Sequence, residues 1–156
     1  MLKTGLIHPE ILGGLAAAGH GSQVLISDAN YPSLTAPYSG ARRVYLNLRP
    51  GTVTVTEILA TLAPLLPIER IAVMDPDDGS QPPVQKELLA LIDPQTEVAH
   101  FARHDFYAAT RTPDLALVIV SGDTRWWANI LLTIGATPET ASGPTRPSAG
   151  PTHKEQ

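Results

Sequence analysis

Two kinds of apolar segment alternate along this 156-residue chain, and the alternation predicts an α/β fold: a single layered domain whose largely parallel sheet is flanked by helices. One kind is short and continuously apolar, as at Val24-Leu25-Ile26 and over residues 115–120, the pattern of strands buried on both faces. The other spaces its apolar residues for one helical face, as with Ile11, Leu12 and Leu15, or Val84, Leu88, Leu91 and Ile92. A 43% hydrophobic composition without cysteine fits a domain held together by packing alone.

The elements follow in order. Pro9-Glu10-Ile11-Leu12 opens a helix, since a first turn needs no amide donor from Pro9, and Gly19 stops it. A strand over 24–26 leads into a loop over 30–40 rich in Pro, Ser, Gly and Tyr, and a second strand covers 43–48. Residues 56–62 form a helix that Pro64 and Pro67 close before the strand pattern resumes at 71–74. After a turn at 75–79 come a helix over 83–92, a strand over 97–101 and a short helical piece over 105–109. Residues 115–120 are the most apolar strand candidate, and 126–134 return the chain to the core. From Pro138 the composition collapses to Pro, Ser, Thr, Gly and Ala with scattered charge, too little apolar surface to offset chain entropy. The folded domain is therefore assigned to residues 1–138, and residues 139–156, with His153, to a disordered tail.

Composition also narrows the function. A formal charge of -4 with no long Lys/Arg cluster argues against nucleic acid or an acidic membrane as partner. No run of about 18 apolar residues suggests a membrane span. The first residues do not read as a signal peptide, and the lack of cysteine fits a reducing cytoplasm. Neither Gly-x-Gly-x-x-Gly nor a phosphate loop occurs, and the five histidines lack metal-ligand spacing. A small, roughly neutral ligand is expected.

The candidate site residues lie where strands end. Gly19-His20-Gly21 mounts an imidazole, which ordinarily titrates near neutral pH, between two residues without side chains. The same ring also suits a plain helix C-cap. Asp28 ends its strand, where α/β proteins commonly bind ligands and a carboxylate can accept hydroxyl hydrogen bonds; with Asn30 it could equally organise a turn. Asn129, between Trp127-Ala128 and an apolar run, is expected to turn its amide into a pocket. Trp126 and Trp127, the chain's two tryptophans, suit either the core or the C–H face of a sugar. Arg103, His104 and Tyr107 cluster after a strand, as ligand contacts or as a solvated helix start.

Taken together, Met1-Leu-Lys-Thr, His8-Pro9-Glu10-Ile11-Leu12, Gly19-His20-Gly21, Ser27-Asp28-Ala29-Asn30-Tyr31-Pro32 and Trp127-Ala128-Asn129-Ile130-Leu131-Leu132 with Gly135 resemble the ribose pyranase and fucose mutarotase (RbsD/FucU) family, from Met1 to about Pro138. The resemblance implies an RbsD-like fold, interconversion of ring or anomeric forms of a free monosaccharide without cofactor or metal, and a ring-like homo-oligomer, commonly a decamer. It implies His20 as proton donor and Asp28, Arg103, Trp127, Ala128 and Asn129 as substrate-binding positions. Arg103 with Phe106-Tyr107 looks more like the fucose branch, so L-fucose is the expected substrate, with D-ribose pyranase activity or non-catalytic sugar binding as alternatives. Trp127 stands where the family usually has tyrosine.

One acid and one base suffice for such chemistry: a proton leaves the C1 hydroxyl as another reaches the ring oxygen, and the aldehyde recloses on its other face. Strand geometry adds a constraint. At about 3.3 Å per residue, His20 and Asp28 fall near opposite ends of one strand, more than a sugar ring apart. A complete site is therefore expected to borrow residues from a neighbouring subunit, unless the segment curls.

Overall fold

Alternate residues of the central strands face opposite sides of the sheet, and both sides are apolar, so helices or loops must cover both. The computed structural model describes residues 2–137 and residue 139; apart from residue 139, the expected tail lies outside the described residues. Helix α1 (Pro9–Ala17) precedes β1 (Gln23–Ser27) and β2 (Arg42–Tyr45); α2 (Val55–Leu62) and a 3-10 turn (Ala63–Leu65) precede β3 (Ile68–Met74). Then follow α3 (Pro83–Leu89), β4 (Glu97–Phe101), α4 (Arg103–Ala109), β5 (Leu115–Val120) and β6 (Ile130–Ile134).

The strands lie in the order β2-β5-β1-β6-β3-β4. β1 and β2 run parallel to β5, and β3 runs parallel to β4, while β6 is antiparallel to both β1 and β3. The sheet is thus largely parallel with one reversed strand, within the α/β class the alternation predicts. On one face Val24, Ile26, Ile71, Val73, Leu117, Ile119, Ile130 and Leu132 pack with Ile11 of α1, Ile58, Leu59 and Leu62 of α2, and Leu88 of α3. On the other, Leu25, Met74, Val118, Val120 and Leu131 pack with Phe106 of α4 and with Tyr31 and Ala36 of the long loop.

Element ends differ from the sequence expectation for local reasons. β2 stops at Tyr45 because its partner β5 stops at Val120; beyond that pair the chain turns outward and leaves Leu48 exposed. α2 begins one residue earlier than expected, because the Thr54 hydroxyl accepts the Glu57 amide while the Glu57 carboxylate accepts the Thr54 amide. α3 ends at Leu89, and residues 91 and 92 continue it only with tighter bonds to Leu88 and Leu89. α4 starts at Arg103, two residues early, with Phe106 donating its amide to the Ala102 carbonyl.

Two contacts fix the loops beside the sheet. Arg43 donates from Nε to the Ser33 carbonyl, from Nη1 to those of Ala41 and Ser39, and from Nη2 to that of Tyr38. One guanidinium therefore gathers the loop that follows β1. Arg43→Met should cost about 2–3 kcal/mol, read as a lower Tm and faster proteolysis within residues 33–41.

Gly122, after β5, lies against the backbone of residues 49–53. It donates to the Val53 carbonyl and accepts from the Gly51 amide. A Cβ there would overlap the Thr52 carbonyl oxygen and come within 2.5 Å of that of Arg49. Backbone cannot swing aside as a side-chain tip can, so Gly122→Ala should cost about 3 kcal/mol in thermal or urea unfolding.

Candidate functional site

An open cavity of about 350 Å3 lies where β1 and β3 end, the edge at which open α/β sheets commonly bind ligands. The reversal of β6 places its first residues at that same edge: Ile130 pairs with Ile26 of β1 and with Val73 of β3. Asp28 follows β1, Met74 ends β3, Arg103 starts the helix after β4, and Asn129 immediately precedes β6. All four line the cavity. Asn30, Tyr31, Tyr107, Trp126 and Trp127 complete the lining.

The floor is a reciprocal pair. Asn129 Nδ2 donates to Asp28 Oδ2 at 2.7 Å, and the Asp28 amide donates to Asn129 Oδ1 at 3.0 Å. Asp28 Oδ1 accepts the amides of Asn30 (2.9 Å) and Tyr31 (2.8 Å), which turns the chain out of β1. Asp28 thus organises the turn through Oδ1 and pairs with Asn129 through Oδ2, beside the cavity that both residues line. Burial raises the Asp28 pKa above the usual aspartate value, against the lowering pull of the Asn30, Asn129 and Tyr31 hydrogen bonds; the Asp123 charge adds to the rise.

The walls are aromatic. Trp127 holds a left-handed backbone (φ 68°), rare for a bulky side chain, and Arg103 places its guanidinium carbon 5.1 Å from the centre of the indole. Trp126 is 75% exposed at the rim, so of the two tryptophans neither is a fully buried core residue. Tyr31 packs edge-on against Phe106 and Tyr107, and His104 packs edge-on against Tyr107. The Tyr31 hydroxyl sits 2.8 Å from the Thr110 hydroxyl, and burial pushes its pKa up to about 12, so it stays protonated at neutral pH. A carboxylate, an amide, a guanidinium and flat apolar faces around one cavity suit a ligand with several hydroxyls on an apolar ring.

Of the sequence-derived candidates, Asp28, Arg103, Trp127 and Asn129 share the cavity. Ala128 does not line it; its side chain is fully buried in the core between its two lining neighbours. His20 stands apart, on the turn before β1, with Nε2 3.1 Å from Glu69 Oε2 and most of its side chain exposed. β1 separates it from Asp28, so the segment does not curl to join them.

Sequence reasoning missed Met74, whose only signal was its place at the end of β3, and Asp123 with Arg125. Asp123 is 1% exposed; its carboxylate accepts the Val55 amide and three bonds from Arg125, and its carbonyl accepts the Ala29 amide. Burial alone would raise its pKa, but the Arg125 hydrogen bonds and the Val55 amide outweigh that and hold it below the usual aspartate value. A charge pair within a loop after a strand was the available signal.

Comparison with known proteins agrees with this architecture. Residues 1–137 match the model of the RbsD / FucU transport protein family. The chain is 31% identical over 135 residues to D-ribose pyranase 2 of Streptomyces griseus, covering 86% of this chain and 98% of that protein. The structure of Bacillus subtilis RbsD complexed with D-ribose superposes with a TM-score of 0.76 at 26% identity, covering 88% of this chain and 99% of that one. Fucose mutarotase of Streptococcus pneumoniae, solved in complex with L-fucose, has the same fold, with a TM-score of 0.73 at 22% identity and coverage of 88% and 99%.

Proposed function

The chain belongs to the RbsD / FucU transport protein family, and on that premise we propose that it is a sugar mutarotase, an isomerase that interconverts ring forms of a free monosaccharide by acid/base opening and closure. The observation that carries this reading is the Asp28–Asn129 pair on the floor of an open, aromatic-walled cavity. Asp28 accepts sugar hydroxyls, Asn129 fixes their direction, the Trp127 face lies along the ring and Arg103 donates to an oxygen. His20 transfers the proton. Because it stands outside the cavity of its own chain, it serves the cavity of a neighbouring copy in a homo-oligomer, and the decamer implied by resemblance would bring such copies together.

L-Fucose is the substrate favoured by this chain's residues: Arg103 with Phe106-Tyr107 resembles the fucose branch, and Met74, Tyr107 and Trp127 offer apolar surface to a 6-methyl group. D-Ribose is the second reading, supported by the identity to D-ribose pyranase 2. No cofactor enters this acid/base scheme. The expected compartment is the cytoplasm; among the described residues no helix is long and apolar enough to cross a membrane.

NMR saturation transfer between anomers of fucose, ribose and galactose, with and without the protein at neutral pH, tests the proposal. Acceleration of fucose exchange supports it as stated, and acceleration of ribose alone moves the substrate to the second reading. A sugar that raises the Tm while its exchange stays at the uncatalysed rate would replace the enzyme by a non-catalytic binding protein.

A further inference from the structure

We infer that Arg125 is a positioning residue for the sugar site: its guanidinium, gripped by Asp123, Glu87 and Thr56, sets the turn that presents Trp126 and Trp127 to the cavity. The inference rests on the proposed reading of that cavity as a sugar site.

Trp127 is held in a backbone region that its side chain disfavours, so the surrounding structure must impose the turn from both sides. On the C-terminal side, Ala128 is fully buried and Asn129 is bonded to Asp28. On the N-terminal side the anchor is Arg125. Its Nε and Nη2 meet the two oxygens of Asp123 at 3.0 and 2.7 Å, a planar fork on a buried carboxylate. Its Nη1 reaches Glu87 of α3 at 2.6 Å, and Nη2 reaches the Thr56 hydroxyl of α2 at 2.9 Å. One side chain thus ties the residue before Trp126 to two helices on the far face of the sheet. Glu87 and Asp123 do not line the cavity. Disturbing this clamp therefore reaches the sugar indirectly, through the turn and through Asp123, whose carbonyl holds the Ala29 amide beside Asp28.

Both tryptophans of the chain sit beside this clamp, which supplies a readout independent of activity. In the full-length protein without sugar, Arg125→Met should increase acrylamide quenching of tryptophan fluorescence and weaken the near-UV circular dichroism. In the exchange assay it should raise KM about tenfold with kcat changed less than about threefold, since the aromatic wall holds the sugar before and during proton transfer alike. Glu87→Gln should give a smaller change in the same direction, and the double variant should be no worse than Arg125→Met, because the two share one interaction. Leu59→Val, a core truncation on α2, serves as the stability control: it should lower Tm while leaving quenching and KM as in the wild type.

Unchanged quenching and KM in Arg125→Met would overturn the inference, and so would Leu59→Val reproducing the changes at equal loss of Tm. If the wild type accelerates no sugar, the mutarotase reading fails, while the quenching comparison still decides whether Arg125 sets the turn.

Discussion

Replacing His20 by alanine should slow anomer exchange by about 10²–10⁴-fold, the usual contribution of a positioned acid/base group, while sugar affinity stays within a few-fold of wild type. The side chain is mostly exposed and its charged partner Glu69 is also exposed, so the substitution should leave Tm nearly unchanged. Activity and folding are thereby separated in one variant. The same position yields a sharper test of the two-copy site. His20→Ala keeps an intact cavity and Asp28→Asn keeps an intact imidazole, so co-refolded mixtures should recover activity that neither variant shows alone. Mixtures that stay as inactive as their components would show that both groups act within one chain, and the proposed arrangement would be wrong.

Asp28→Asn should be the most damaging change within the cavity. An amide has nearly the carboxylate's shape, but one of its two ends carries hydrogens. Turned one way, those hydrogens face Asn129 Nδ2; turned the other, they face the amides of Asn30 and Tyr31. Either orientation sets donor against donor in a buried place, at about 2–3 kcal/mol in unfolding free energy. Exchange should fall at least about 100-fold, because the hydroxyl acceptor is lost together with the alignment of Asn129. Calorimetry of sugar binding and urea unfolding measure the two losses separately.

The pH dependence of wild-type stability, set against that variant, carries a sign of its own. Burial raises the folded-state pKa of Asp28, so the folded protein holds this proton at a pH where the unfolded chain has released it. In that window just above the ordinary aspartate value, Asp28 makes stability fall as pH rises, and the fall ends once the folded carboxyl has ionised. Asp123, with its lowered pKa, acts in the opposite direction at more acid pH. The stability difference between wild type and Asp28→Asn removes the Asp123 contribution and should therefore shrink across the Asp28 window. A difference that grew with pH there would contradict the burial argument.

Much of the fold was legible because strand and helix periodicities differ sharply here. Val24-Leu25-Ile26 and residues 115–120 are too short and too uniformly apolar for an amphipathic helix, and they became adjacent interior strands of the sheet. The direction of β6 was not legible. Ile130–Ile134 reads as a buried strand in either sense, and its reversal follows from the length of the connection, since the nine residues between Val120 and Ile130 are too few for a parallel return through a helix. For the site, Asp28 and Asn129 were visible as polar residues beside apolar runs, yet their mutual bond spans 101 positions and no local pattern encodes it. Arg125 escaped notice for the same reason. Its partners Thr56 and Glu87 lie 69 and 38 residues away, brought near only by the stacking of α2 and α3 on the sheet.

The short return from β5 into β6, which passes over the end of β1, has a consequence for the remodelling of this scaffold. Because both strands meet the same rim, residues 121–129 never cross the layer, and one uninterrupted stretch carries Trp126, Trp127, Asn129 and the charged bolt that secures them. Recognition of new guests could be grafted as a cassette, provided the recipient keeps an acceptor pair equivalent to Glu87 and Thr56 beneath it.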